Sequence, residues 1–383
     1  MMAMKRLSLY FALIALGMWS CVTEIRDFEQ IGNDSFLTIE AALSNQKGPY
    51  KVLISSSSPS ITINTENKPI TKAKVSITDD KGKKENLTET LEGTYQTSAS
   101  FKGIVGYTYV LNIDLPNGKK YKSTPEKLIE APLIDKINAK FVLKTNYPTT
   151  DVRSVGYDVT LDFKDSPTPN QYYQWKWTHY EKTVYCASCY QGYDYDLGKC
   201  SNVPLFPYGQ SKIELINFTC GEPCFDITSN TTYNVLSDNL LNGQQVSNYP
   251  IMRIPFNSPS LYYLKIEQRA ISEKMYRYFR SIKEVTSGAG TLFDVPAETQ
   301  FSPNIVSLDN PNEKILGAFE VFGLEQKIIY VDRNKGSEGY SPVRVQYPGR
   351  QLLAPPGSAG GGPRAKCTEG KNRTKTQPEA FKE

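Results

Sequence analysis

The chain is poor in the residues from which active sites are most often assembled. It has a single histidine, His179, so a Ser-His-Asp triad or a histidine-rich metal site would have to rest on that one side chain. His179 follows Trp175 and Trp177 at steps of two, which on a strand places all three on one face, and it reads as a structural or interface histidine. Gly-x-Ser-x-Gly, His-Glu-x-x-His and P-loop patterns are absent, and with them the reactions those spacings support. The glycine-rich stretch Gly357–Gly362 has no strand or helix signal after it and reads as linker. Beyond residue 21 no apolar run approaches eighteen residues, so no later segment is expected to cross a bilayer as a helix. Excess charge is missing too. The formal net charge is +4, Lys5 and Arg6 account for half of it, and basic runs do not exceed short pairs such as Lys119-Lys120. That excludes the electrostatic footprint of a nucleic-acid binder.

The N-terminus is richer in information. Lys5 and Arg6 precede an apolar run from Leu7 to Trp19, long enough for an export signal and too short to span a membrane comfortably. It ends in Ser20-Cys21, a small residue directly before a cysteine, as a lipoprotein signal peptidase requires. Residues 1–20 are therefore expected to be a signal peptide, and Cys21 the palmitate-type, diacylated N-terminus of the mature protein. Two or three acyl chains hold a protein on a membrane far better than one. Residues 21–34, with Glu24, Asp27, Glu29 and Asp34, suit a solvated tether.

With Cys21 lipidated, six cysteines remain: Cys186, Cys189, Cys200, Cys220, Cys224 and Cys367. An even set in an exported chain points to disulfides. The spacing Cys186-x-x-Cys189 with Cys220-x-x-x-Cys224 is also that of a zinc ribbon, but an oxidising compartment favours disulfides, and no metal or cofactor is expected. Six cysteines allow fifteen connectivities, and the sequence does not choose among them.

The fold class is mainly β. From residue 35 to 130, short β runs (Phe36–Leu43, Tyr50–Ile54, Ala73–Ile77, Thr94–Ser98, Tyr107–Ile113) alternate with turn residues such as Asp80-Lys81-Gly82 and Asn117-Gly118, which predicts a β-sandwich. The stretch Pro69–Tyr121 resembles an immunoglobulin-like module. Residues 131–350 are expected to form a larger β-rich domain, in which Val155, Tyr157, Val159, Leu161 and Phe163 alternate on one face. Within it, residues 185–225 read as a disulfide-stapled insertion. Residues 267–287 read as one helix, with Ile271, Met275, Tyr278, Phe279, Ile282 and Val285 on its apolar stripe. Residues 351–383 are expected to be a Pro/Gly linker and a polar tail.

The runs Ile271–Phe279, Gly290–Pro296, Asn304–Val306 and Pro311–Gly317 resemble, in order and spacing, a Bacteroidetes lipoprotein family catalogued as domain of unknown function 4249. The resemblance extends over nearly the whole chain. The tail departs from it, with one cysteine, Cys367, where two are common, which leaves the partner of Cys367 undecided. Members are usually encoded beside a TonB-dependent transporter. The resemblance therefore implies an accessory surface lipoprotein of the outer membrane, facing the exterior, with a β-barrel partner. It transfers no catalytic residue.

Among residues suited to binding, the aromatics stand out, because flat rings stack on sugars and anchor protein interfaces. Trp175 and Trp177 are expected in the sheet core, and Tyr190, Tyr193 and Tyr195 on the surface of the insertion, which is the expected contact with a partner. Asp194 and Asp196, with Gly198, begin like a calcium loop but lack the remaining ligands, and read as a solvated turn. The rival readings are an independent glycan- or ligand-binding surface protein, a structural component of an envelope assembly, and a hydrolase with facing carboxylates.

Overall fold

The computed structural model describes residues 35–57, 67–143, 155–190, 192–201, 215–288, 301–342, 350–351 and 364–382. Cys21, the signal and tether segments, the Gly290–Pro296 run and Gly357–Gly362 lie outside these residues. The fold is mainly β, with a single helix among the described residues. No helix there is long and apolar enough to cross a membrane.

One strand organises the molecule. Ile315–Asp332 is eighteen residues long. Its first part pairs in parallel with Leu37–Ser44, in the register Leu37↔Ile315 to Ser44↔Phe322. Its second part pairs antiparallel with Leu261–Ile271, from Ala270↔Gly323 to Leu261↔Asp332. The strand thus joins two half-sheets into one eleven-stranded sheet. Gly323 sits at the handover, where a Cβ would lie 2.0 Å from the Ile129 carbonyl oxygen. Gly317, at φ +84°, lets the strand pass close to Ile39, whose carbonyl oxygen would be 2.1 Å from a Cβ, a conformation and an approach that only glycine accepts.

The first core lies between the Leu37–Ser44 half and a second sheet containing Lys74–Asp79, Thr108–Asp114, Lys120–Ser123 and Ile305–Ser307. Ile39, Leu43, Val52, Ile54, Val75, Ile77, Leu111 and Ile113 fill it, together with Ile305, Ile315, Phe319 and Val321 from the far end of the chain. Residues beyond 300 therefore complete the N-terminal module, and the chain crosses the boundary expected near residue 130. Asn304, buried, stitches the two ends together. Its Nδ2 donates to Glu126 Oε1 at 3.0 Å and to the Phe319 carbonyl at 2.8 Å, while its Oδ1 accepts from Phe319 N at 3.1 Å.

The second core lies between the other half-sheet and a three-stranded sheet of Ile134–Leu143, Val155–Lys164 and Gln245–Pro255. Val155, Tyr157, Val159, Leu161 and Phe163 are all buried in it, as their alternation predicts. Helix α1 (Glu273–Gly288) covers Tyr172, Ala318 and Phe322 through Met275 and Phe279.

The helix is shorter than the expected 267–287, because Leu261–Ile271 is a strand whose Tyr262, Leu264, Ile266, Gln268 and Ala270 are buried at period two. Ile271 belongs to the strand end, and Ser272 is the N-cap, its Oγ accepting from Met275 N at 3.4 Å.

Candidate functional site

Three disulfides, Cys186–Cys220, Cys189–Cys200 and Cys224–Cys367, build a small module at the edge of the large sheet. Tyr185–Cys189 pairs with Ile216–Cys220, which is flanked in parallel by Arg350–Gln351 and Arg364–Ala365. Among the described residues its core consists of Ile216, Phe218, Ala365 and the cystines, with Ala187 and Tyr193 packed against them, and crosslinks add to this small apolar burial. The Sγ atoms of Cys186, Cys220 and Cys224 lie within 4.8 Å of one another. They belong to two neighbouring disulfides, which overturns the zinc-ribbon alternative for the oxidised chain.

Of the three tyrosines expected on the surface, Tyr190 and Tyr195 are 64% and 50% exposed, beside Leu197 at 65%. Tyr193 is not with them. Its ring packs 5.6 Å from Phe218 and its hydroxyl accepts from Lys366 N at 2.9 Å, so it is part of the module's small core. Asp194 Oδ1 accepts from Leu197 N at 2.9 Å and Gly198 has φ +65°, so this segment is a turn capped by its own carboxylate.

The tail is a clasp. Beyond Cys367, Arg373–Thr374 pairs with the sheet edge Phe225–Ser229. The Arg373 guanidinium donates to Asp226 at 2.6 Å and to the Cys186 carbonyl at 2.9 Å. Phe381 packs 4.9 Å from Phe225 and 5.9 Å from Tyr263.

Trp175 is buried in the second core, its Nε1 donating to Gln268 Oε1 at 2.9 Å. Trp177 is half-buried against the same core. His179, also buried, contacts a carbonyl, a ring and a carboxylate: the Tyr263 oxygen at 2.7 Å, the Tyr262 ring at 3.7 Å, and Glu181 at 3.6 Å. Behind them Arg333 is fully buried, bonded to Ser260 and Asn257.

A second site arises from a gap in the large sheet. The outer side of Tyr172–Lys182 pairs first with Asn234–Ser237, as far as Trp175↔Asn234, and then with Phe225–Ser229, from Thr178↔Ser229 onward. Residues 230–233 leave the ladder between these pairings. Asn230 holds them, its Oδ1 accepting from Trp177 N at 3.1 Å and its Nδ2 donating to the Thr232 carbonyl at 2.9 Å.

The result is a cleft of about 290 Å³ lined by Lys176, Thr178, Ser229, Thr231, Thr232, Tyr233, Glu267 and Arg269. Arg269 lies 2.5 Å from Glu267, 3.4 Å from Glu320 and over the Phe322 ring at 4.2 Å. Lys176 lies 3.7 Å from the same Glu320. Burial alone would raise the Glu267 carboxyl, but Arg269, Lys265 and Lys176 outweigh it and hold the group below the usual range. Burial pushes the Lys176 amine down, against the pull of Glu320. Glu267 and Arg269, two apart on a strand, are the sequence signal for this site, and reading that segment as helix hides it.

A family model described as Domain of unknown function (DUF4249) matches residues 22–328. No curated protein matches the chain.

Proposed function

The chain belongs to the DUF4249 family, and on that premise we propose a non-enzymatic outer-membrane lipoprotein, anchored through Cys21 and facing the exterior, that serves as accessory subunit of a TonB-dependent transporter or related β-barrel complex. The observation that carries this reading is the stapled module. It displays Tyr190, Tyr195 and Leu197 to solvent on a frame crosslinked by three disulfides. Exposed aromatic and aliphatic side chains on a rigid frame bind a partner with little ordering cost. A tether at the other end of the chain confines that surface to the membrane plane, which raises its effective concentration toward an integral partner.

Mild-detergent extraction of the tagged protein from its native membranes tests the reading. A β-barrel protein co-purifies with the wild type and is largely lost from a Tyr190→Ala/Leu197→Ser variant that retains its disulfides. A monomer recovered after gentle extraction and crosslinking would refute it. Replacing Cys21 with Ala releases the protein from membranes lacking the barrel, and retention there would refute the lipid anchor.

A further inference from the structure

The ladder gap opposite Lys176 and Trp177 has the composition of a ligand site distinct from the stapled module. The charges of its lining are already paired, Glu267 with Arg269, and both Lys176 and Arg269 with Glu320, which stands outside the lining. A charged ligand finds no surplus of the opposite sign and pays desolvation without return. An apolar ligand strips water from Lys176, Glu267 and Arg269 and offers them nothing. A neutral ligand dense in hydroxyls suits the lining, because each hydroxyl both donates, here to a carboxylate, and accepts, here from an ammonium, a guanidinium or a threonine. Hydrogen bonds of this kind to ionised groups are the stronger ones.

Size narrows the class. About 290 Å³ lies at the lower limit of small-molecule pockets, room for one sugar ring rather than for an oligosaccharide. The cleft is also held in shape. Arg269 is fixed by Glu267, Glu320 and the Phe322 ring, and Tyr233 is backed by Phe279, with centroids 4.9 Å apart and planes 14° from parallel. We propose that this cleft binds a single ring of an uncharged saccharide, such as the terminal residue of a glycan, with Glu267 accepting from its hydroxyls and Lys176 and Arg269 donating to them.

The test titrates the purified chain with the methyl glycosides of glucose, galactose, mannose and N-acetylglucosamine, and with glucuronate and glucosamine as charged comparisons, by ligand-observed NMR and calorimetry. At least one neutral glycoside binds one-to-one in the millimolar range, the order expected of a one-ring ligand. Lys176→Met and Arg269→Gln each weaken it on the order of tenfold, the loss of one charge-assisted bond, while Leu91→Ser on the far module does not. Thr231→Ala, on an exposed loop with no fold to disturb, weakens binding without moving the thermal midpoint. The proposal is overturned if no neutral glycoside binds, if a charged sugar binds as tightly, or if binding survives the Lys176, Arg269 and Thr231 substitutions.

Discussion

His179 lies flat on Tyr262, with ring centroids 3.7 Å apart and planes within 4°. The Tyr263 carbonyl accepts from its Nδ1 at 2.7 Å, which leaves Nε2 turned toward Glu181 at 3.6 Å. The imidazole, and after it the Arg333 guanidinium, hold the Glu181 carboxyl below its usual range against the effect of burial. The one histidine of the chain thus joins two strands and a buried arginine.

His179→Leu leaves the Tyr263 carbonyl without its side-chain donor and Glu181 without the imidazole. The expected loss is about 1–3 kcal/mol, read as a lower urea midpoint with unchanged slope. An unchanged midpoint would show that the stack and its hydrogen bond contribute nothing net.

Acid should destabilise the fold through Glu267 and Glu181, both held low in the folded state. A folded value below the unfolded one, about 4.3 for glutamate, gives stability that is complete above the unfolded value. It is lost as pH falls through the folded value. Glu267→Gln is therefore expected to lower the urea midpoint at neutral pH and to leave it nearly unchanged near pH 3. Equal losses at both would show that the carboxylate charge is not what matters.

The three disulfides should differ in weight. Their sequence separations are 143 for Cys224–Cys367, 34 for Cys186–Cys220 and 11 for Cys189–Cys200. Loop-closure entropy then assigns them about 5, 4 and 3 kcal/mol respectively. Paired serine substitutions should lower the thermal midpoint in that order, and peptide mapping without reductant should recover these three links. A different connectivity, or the shortest loop dominating, would contradict the arrangement.

Gly317→Ala should be far worse than Gly82→Ala. Both glycines have positive φ, near +84° and +85°, but a Cβ at residue 82 meets nothing within 4 Å, whereas at 317 it meets the Ile39 carbonyl. Conformational strain alone costs about 1 kcal/mol. The added backbone clash should bring the loss at Gly317 above about 3 kcal/mol, seen as insoluble or unfolded protein.

What the sequence made legible is what depends on neighbours along the chain. Val155–Phe163 alternates because one face is buried, and that pattern survives any uncertainty about its partners. The short strands before residue 114 were marked by their turns. Leu261–Ile271 misled because its last apolar residue, Ile271, continues the spacing of Met275 and Phe279 into the helix, so the two periods overlap at one position. Tyr193 was placed on the surface because nothing local reveals that Phe218 and Lys366, far along the chain, meet it. The partner of Cys367 and, beyond the Glu267 and Arg269 pair that the helix reading hid, the assembly of the cleft at Lys176 were out of reach for a common reason. Each is assembled from segments far apart, and their meeting is set by sheet register, which no local pattern encodes.

The pairing of Leu37–Ser44 with Ile315–Phe322 also fixes when the protein folds. The first strand to be synthesised receives one of its two neighbours only after almost all the chain has followed, and the Cys224–Cys367 link waits longer still. Contacts of such long range make for slow folding, because loop-closure entropy is lost before they form. The N-terminal sheet of a nascent chain therefore lacks one of its strands until residues 315–322 have been made.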